Sequence, residues 1–308
     1  MRTLPFEKAA LDAFGSRSIW DAAAVGLVSS MLDRWHLIPG EPYVGGESGA
    51  VVRVTTSDGR PAVLKVGFPH IEGVGEALAL EWWGESRAPV VLRQDVWTWS
   101  MLLERVDPGL QLSHFPAPVE RSLEIASDLF AGLMSMPRPL DSGISTVTEI
   151  VGAQFANARD RMPDQREALE FLGAARRVDE GIELGSELAR DDAASALLHG
   201  DLNPGNILRR RNHWIVIDPK PMLGEPEFDL FPLISQLRSP LRGSKPAHTI
   251  AAHLETVCGA GGTDATLAAS WSVARAALNV TWQLHDGDHA AATEAARELA
   301  VWSDVRGS

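Results

Sequence analysis

An octapeptide of turn formers and hard oxygen donors, His199-Gly200-Asp201-Leu202-Asn203-Pro204-Gly205-Asn206, runs into a short β-rich stretch that closes on Ile217-Asp218. Gly200, Pro204 and Gly205 fix the backbone of a tight loop carrying Asp201. The following ILRRRNHWIVID reads as a small hairpin turning at Arg210–Asn212. A hairpin of that length sets Asn206 and Asp218 side by side. Their oxygens suit Mg²⁺, which takes a few hard protein donors together with nucleotide phosphates. Asp201 is then placed to accept a hydroxyl proton. Phosphoryl transfer needs that arrangement: an oriented acceptor, metal over the phosphates and little covalent work by the protein. The plain alternative is a loop capped by turn-forming Asp and Asn. His-Gly-Asp alone would not decide between them; the ordered set does.

The rest of the chain reads as a β-rich part followed by a helical part. Residues 18–37 space apolar side chains along one helix face until Pro39-Gly40 ends it. Two β-rich runs, 50–56 and 61–66, flank Ser57-Asp58-Gly59-Arg60, a strong hairpin signal. A helix over 74–86 and strands at 88–93 and 97–105 follow, giving a sheet of about five strands with one helix inserted after the third. Asp107-Pro108-Gly109 and the prolines beyond it place a boundary between 106 and 107. The expected fold class is α+β: an N-terminal lobe, 1–106, with mixed β structure and the phosphate contacts, and a mainly helical C-terminal lobe, 107–308, with the catalytic loop, metal and acceptor site. Helices are expected at 118–135, 146–194 with an interruption at Pro163, 227–238, 246–258, 264–286 and 289–303.

Charge narrows the partners. The net charge is -13. Residues 1–106 hold ten basic and thirteen acidic side chains, and 107–308 hold eighteen and twenty-eight. Binding to a phosphate backbone needs basic patches, so nucleic acid is excluded as the expected partner. The acidic second part suits a cationic small molecule. One cysteine, Cys258, excludes an internal disulfide framework and a cysteine-based zinc site. No apolar run has the length of a membrane span, and the first residues do not form a signal peptide. A cytoplasmic monomer or weak homodimer is expected.

LLHGDLNPGNIL…IVIDPKPMLGEPEFDL resembles the aminoglycoside phosphotransferase family, and the branch of streptomycin 6-phosphotransferase and hydroxyurea phosphotransferase in particular. AVLKVGFPH, GEALALEWWGE and the LLLER-type strand with Asp-Pro-Gly behind it follow in the branch's order, so the resemblance spans roughly residues 44 to 285. It implies a two-lobed, protein-kinase-like fold and transfer of the γ-phosphoryl group of ATP, with Mg²⁺, to a small-molecule hydroxyl. It further implies Asp201 as the catalytic base and Asn206 and Asp218 as metal ligands. Lys65 would contact the phosphates, with Glu76 as its ion-pair partner and Glu81 as the substitute in another helix register. The Val44–Gly49 turn, through Gly46, Ser48 and Gly49, would lie over the phosphates, and the strand from Met101 to Val106, with Glu104, would meet adenine through its backbone. His199, Lys220 and Asp229 would support the site, Asp229 by bracing the catalytic loop. The protein-kinase Asp-Phe-Gly and Ala-Pro-Glu patterns are absent, which argues against a protein substrate.

Trp271 and Trp282 lie eleven residues apart, on one helix face, and either pack the core or stack on a ring of the acceptor. Glu225, Glu227, Asp286 and Asp288 are the acidic candidates for holding a cationic acceptor. Streptomycin at its 6-hydroxyl is the most concrete substrate. The alternatives are a kinase for an amino sugar or a hydroxyurea-like compound, and a nucleotide-binding protein without transfer activity.

Overall fold

The Asp58-Gly59 turn folds the chain back as its sequence demands, with Gly59 at φ 84°, a conformation that glycine adopts without cost. A computed structural model describes residues 17–43, 49–140, 142–190, 196–238 and 240–307, and the backbone alone for 17–19. Either side of that turn, β2 (Gly49–Thr55) and β3 (Pro61–Gly67) pair antiparallel, from Gly49↔Gly67 to Thr55↔Pro61. With β1 (Ile38–Pro42), β4 (Val91–Asp95) and β5 (Ser100–Glu104) they form a five-stranded antiparallel sheet in the order β1-β2-β3-β5-β4. Helix α1 (Arg17–Arg34) covers one face. Its Trp20 and Met31 pack with Trp35, Val54, Ala62, Leu64, Val66 and Leu102 as a dry cluster. Helix α2 (Glu76–Trp83) is inserted after β3, where the sequence puts it. The expected strand starting at 97 begins at Ser100, because the Asp95 carboxylate accepts the Trp97 and Thr98 amides and holds 95–99 as a turn.

The chain forms two compact units, and a single division after residue 106 does not describe them. The first comprises Met1–Gln111, Pro139–Ile144 and Asn206–Pro221; the second comprises Leu112–Arg138, Ser145–Gly205 and Met222–Ser308. The reason is strand pairing. Residues 108–111, read from sequence as a proline-rich break, form β6 (Pro108–Gln111), which pairs with β8 (Ile207–Arg210), itself paired with β9 (His213–Val216). The hairpin that carries Asn206 and Asp218 thus belongs to the first unit.

The second unit is mainly helical, as expected: α3 (Val119–Met134), α4 (Val147–Phe171), α5 (Ala175–Leu188), α6 (Leu230–Gln236), α7 (Pro246–Gly261), α8 (Ala265–His285) and α9 (His289–Arg306). A two-stranded ribbon joins β7 (Ala196–Leu198) to β10 (Met222–Gly224), a pairing that the sequence did not announce. Pro163 does not interrupt its helix. It removes one backbone bond, but Phe155, Ala158, Met162 and Leu169 are buried on both sides of it and hold α4 straight through. The break comes at Gly173, whose φ of 63° lets the chain leave the helix. Among the described residues no helix is long and apolar enough to cross a membrane.

Candidate active site

Two local constructions carry the expected site residues. In the first unit, Lys65 stands in the middle of β3, opposite Val51 and Met101, with flanking strands on both sides fixing its backbone. Its ammonium donates to Glu76 Oε1 at 2.6 Å and to Asp218 Oδ1. Glu76 is the first residue of α2, entered through Gly75 at φ 89°. Burial alone would push the Lys65 ammonium down, yet the carboxylates of Glu76 and Asp218 outweigh that and hold it above its ordinary value. Lys65 is therefore a fixed positive charge, only 8% exposed. Glu81 is exposed on the same helix, so the helix register selects Glu76.

Asn206 and Asp218 come together as the hairpin implies. Ile217 N–H donates to the Asn206 carbonyl at 2.9 Å, one step beyond the β8–β9 pair Ile207↔Val216. Asp218 adopts φ 59°, in the left-handed region that Asp and Asn tolerate better than other side-chain-bearing residues. An amide oxygen and a carboxylate at adjoining strand ends fit a Mg²⁺ whose other positions are taken by phosphate and water. Lys220, two residues on, lies 3.6 Å from Glu72 and so joins the connection before α2. Gly49 is a close-approach glycine: a Cβ there would stand 2.9 Å from Gly67 Cα. Gly46 and Ser48 lie outside the described residues.

Glu104 ties the end of β5 to its neighbours. Its amide donates to the Val90 carbonyl at 2.9 Å, and its carboxylate accepts from Arg210 at 2.6 and 2.8 Å. The residue is used inside the unit, binding the end of β5 to β8.

In the second unit, the loop after β7 is clamped. Asp229, fully buried, accepts the His199 amide through Oδ2 and the Gly200 amide through Oδ1, both at 2.7 Å. Burial raises the Asp229 carboxyl above its ordinary value, against the pull of His199, the two amides and Arg275. His199 is buried as well, and its Nδ1 accepts the Asp201 amide at 3.3 Å. Asn203 steadies Asp201 from the other side. Its Nδ2 donates to Asp201 Oδ1 at 3.1 Å, while its Oδ1 accepts the Gly205 amide at 2.8 Å. Sequence alone assigns no role to Asn203, Arg210 or Arg275. A polar side chain two residues after the aspartate of a tight loop was the available signal.

The acidic candidates mostly have structural work. Glu227 is buried and accepts the Asp264 amide at 2.9 Å; Asp288 caps α9 through the Ala291 amide. Glu225 accepts the Trp271 indole N–H at 2.7 Å. Trp271 is core, 1% exposed and edge-on to Phe228, whereas Trp282 is 39% exposed.

Residues 34–287 match the aminoglycoside/hydroxyurea antibiotic resistance kinase family. The chain belongs to that family. As a member of it, the chain is a phosphotransferase. It is 29% identical over 281 residues to streptomycin 6-kinase of Streptomyces glaucescens, spanning 90% of this chain and 89% of the relative. It is 31% identical over 280 residues to hydroxyurea phosphotransferase of Kitasatospora aureofaciens, spanning 90% and 77%. Solved structures agree on the family's fold. A choline/ethanolamine kinase family protein from Mesorhizobium loti superposes with a TM-score of 0.60 at 18% identity, covering 92% of this chain and 100% of that one. A thermostable mutant of the aminoglycoside phosphotransferase APH(4)-Ia, in ternary complex with AMP-PNP and hygromycin B, gives 0.59 at 13%, covering 91% and 99%.

Proposed function

We propose that this family member transfers the γ-phosphoryl group of ATP to a hydroxyl of a small antibiotic-like molecule, streptomycin at its 6-hydroxyl being the most concrete acceptor. The observation that carries the reading is the buried Lys65–Glu76 pair with Asp218 on the same ammonium. A permanent cation held at a strand centre is a phosphate contact prepared before the substrate arrives. Relatives that act on streptomycin, at 29% identity over nearly their whole length, support the acceptor. The acidic excess of residues 107–308 suits its cationic groups.

In this mechanism Lys65 holds the nucleotide phosphates, and Asn206 and Asp218 would hold Mg²⁺, which when bound neutralises charge on the β- and γ-phosphates. Asp201, kept in one orientation by Asn203 and by the braced loop, accepts the hydroxyl proton as the acceptor oxygen forms its bond to phosphorus. The bond from the γ-phosphorus to the bridging oxygen breaks and ADP departs. Hydroxyurea is the second acceptor to consider, because the 31% relative acts on it.

The test is ADP release from Mg·ATP with streptomycin, then hydroxyurea, then a panel of aminocyclitols and amino sugars, with Asp201→Ala as blank. Streptomycin-stimulated release absent from the blank is expected. Release stimulated by another panel member moves the acceptor assignment, and release that Asp201→Ala leaves intact overturns the mechanism.

A further inference from the structure

Helix α8 is almost wholly apolar on its buried side, with Ala268, Trp271, Ala274, Ala277 and Leu278 among its buried residues. Ser270, Ser272 and Thr281 are buried there too, with hydroxyls bonded to carbonyls of the helix itself, and one charged residue interrupts the surface. Arg275 donates through Nη1 to the Phe228 carbonyl at 2.9 Å and through Nη2 to the Gly200 carbonyl at 3.3 Å. Its guanidinium lies 4.2 Å above the Phe228 ring and 5.6 Å from the Phe231 ring. A planar fork stacked on aromatic faces is held in one pose, which a flexible ammonium does not reproduce. The Gly200 peptide is therefore gripped at both ends: its N–H by Asp229, its C=O by Arg275. Gly200 immediately precedes Asp201, at φ 77°, where nothing in its own side chain can fix the backbone.

We infer that Arg275 is a positioning residue for phosphoryl transfer, setting the direction of the Asp201 carboxylate by holding the Gly200 carbonyl opposite the Asp229 clamp. The inference rests on the proposed role of Asp201. The titratable side chains that act on Asp229 are His199, from the loop, and Arg275, from α8, beside the two backbone amides that it accepts. Removing the guanidinium takes away one of the groups that pull the Asp229 carboxyl down, so its titration moves upward. A protonated Asp229 can no longer offer two anionic acceptors to His199 and Gly200, and the loop loosens on both sides.

Two measurements on the full chain decide it, using Arg275→Met, which keeps most of the apolar stem, and Arg275→Lys. The first is amide hydrogen exchange. Arg275→Met should speed exchange at the His199 and Gly200 amides by at least about tenfold while amides of α7 stay within about twofold. The second is steady-state transfer from Mg·ATP to whichever acceptor the wild type uses. There kcat should fall by about 100-fold, as displacement of a reacting group by an ångström would produce. KM for ATP should stay within about twofold, and the acid limb of the kcat–pH profile should move upward. Arg275→Lys should recover only part of kcat, since it lacks the fork. Unchanged exchange at His199 and Gly200 overturns the inference, as does an unchanged kcat or a loss confined to KM. If the wild type transfers phosphate to no acceptor, the proposed function fails, and the exchange result alone decides whether Arg275 holds the loop.

Discussion

Asp218 combines an unfavourable backbone with a side chain whose charge the proposed metal site needs, and substitution can separate the two. At φ 59° an ordinary L-residue such as Ala bears about 1–2 kcal/mol of steric cost. Gly bears none of it but loses roughly 0.5–1 kcal/mol more entropy on folding. The Asp218 side chain is 40% exposed, so its pairing with Lys65 is screened and contributes about 0.5–1 kcal/mol, with Glu76 still in place to satisfy the ammonium. Asp218→Asn should therefore cost about 0.5–1 kcal/mol, since Asn tolerates the same backbone. Asp218→Gly should cost about as much or slightly more, and Asp218→Ala about 2 kcal/mol. At about 2 °C per kcal/mol for a chain of this size, thermal melts should place Ala about 4 °C below wild type and Asn about 1–2 °C below. Transfer should fall by at least about 100-fold in all three, because each removes the negative charge offered to the metal. An Ala variant that melts above the Gly variant would refute the backbone argument. Turnover within tenfold of wild type in any folded variant would refute the metal-site role.

Two further outcomes test packing and titration. Gly185 of α5 faces the Phe155 ring so closely that a Cβ cannot fit without displacing it, so Gly185→Ala should destabilise the chain by about 1–3 kcal/mol in urea unfolding, leaving KM for ATP unchanged. Burial raises the Glu298 carboxyl, against hydrogen bonds with Ser235 and Trp302. A raised acid pKa means that the folded state holds its proton longer, so stability is lost as pH climbs from the unfolded value through the folded one. Glu298→Gln should therefore raise the melting temperature at pH 7.5 relative to wild type and lose that advantage near pH 4.

The parts of the fold that were legible in the sequence are those whose cause is local. Asp58-Gly59 specifies its turn by backbone chemistry alone, whereas α1 ends before the expected stop at Pro39-Gly40: the helix closes at Arg34, His36 turns the chain at φ 54°, and Pro39-Gly40 lie in β1. The hairpin after the loop from His199 to Asn206 is equally local, and β8 and β9 turn where Arg210–Asn212 implies. What escaped depends on distant partners. Pro163 should end a helix on propensity, and it does not because apolar residues on both flanking turns are buried. β6 and β10 are four- and three-residue strands whose existence lies in pairing with β8 and β7. Nothing local in the sequence shows that the Glu104 carboxylate binds Arg210, more than a hundred residues along the chain. Arg275 carries no motif; only the carbonyls that it reaches reveal it.

The return of residues 206–221 to the first unit also sets an order of events during synthesis. When Gln111 has been made, β6 has no partner, because β8 lies about 100 residues downstream. At translation rates of about 5–20 residues per second, the nascent first unit must wait roughly 5–20 s for the hairpin that completes it. Throughout that interval the five-stranded sheet can pair, since all its strands precede residue 105. The strand edge of β6, however, stays open to whatever it meets. A fragment ending near 111 is thus an unfinished object, and separate expression of the two units calls for a circular permutant or a supplied 206–221 peptide, whichever restores the missing partner of β6.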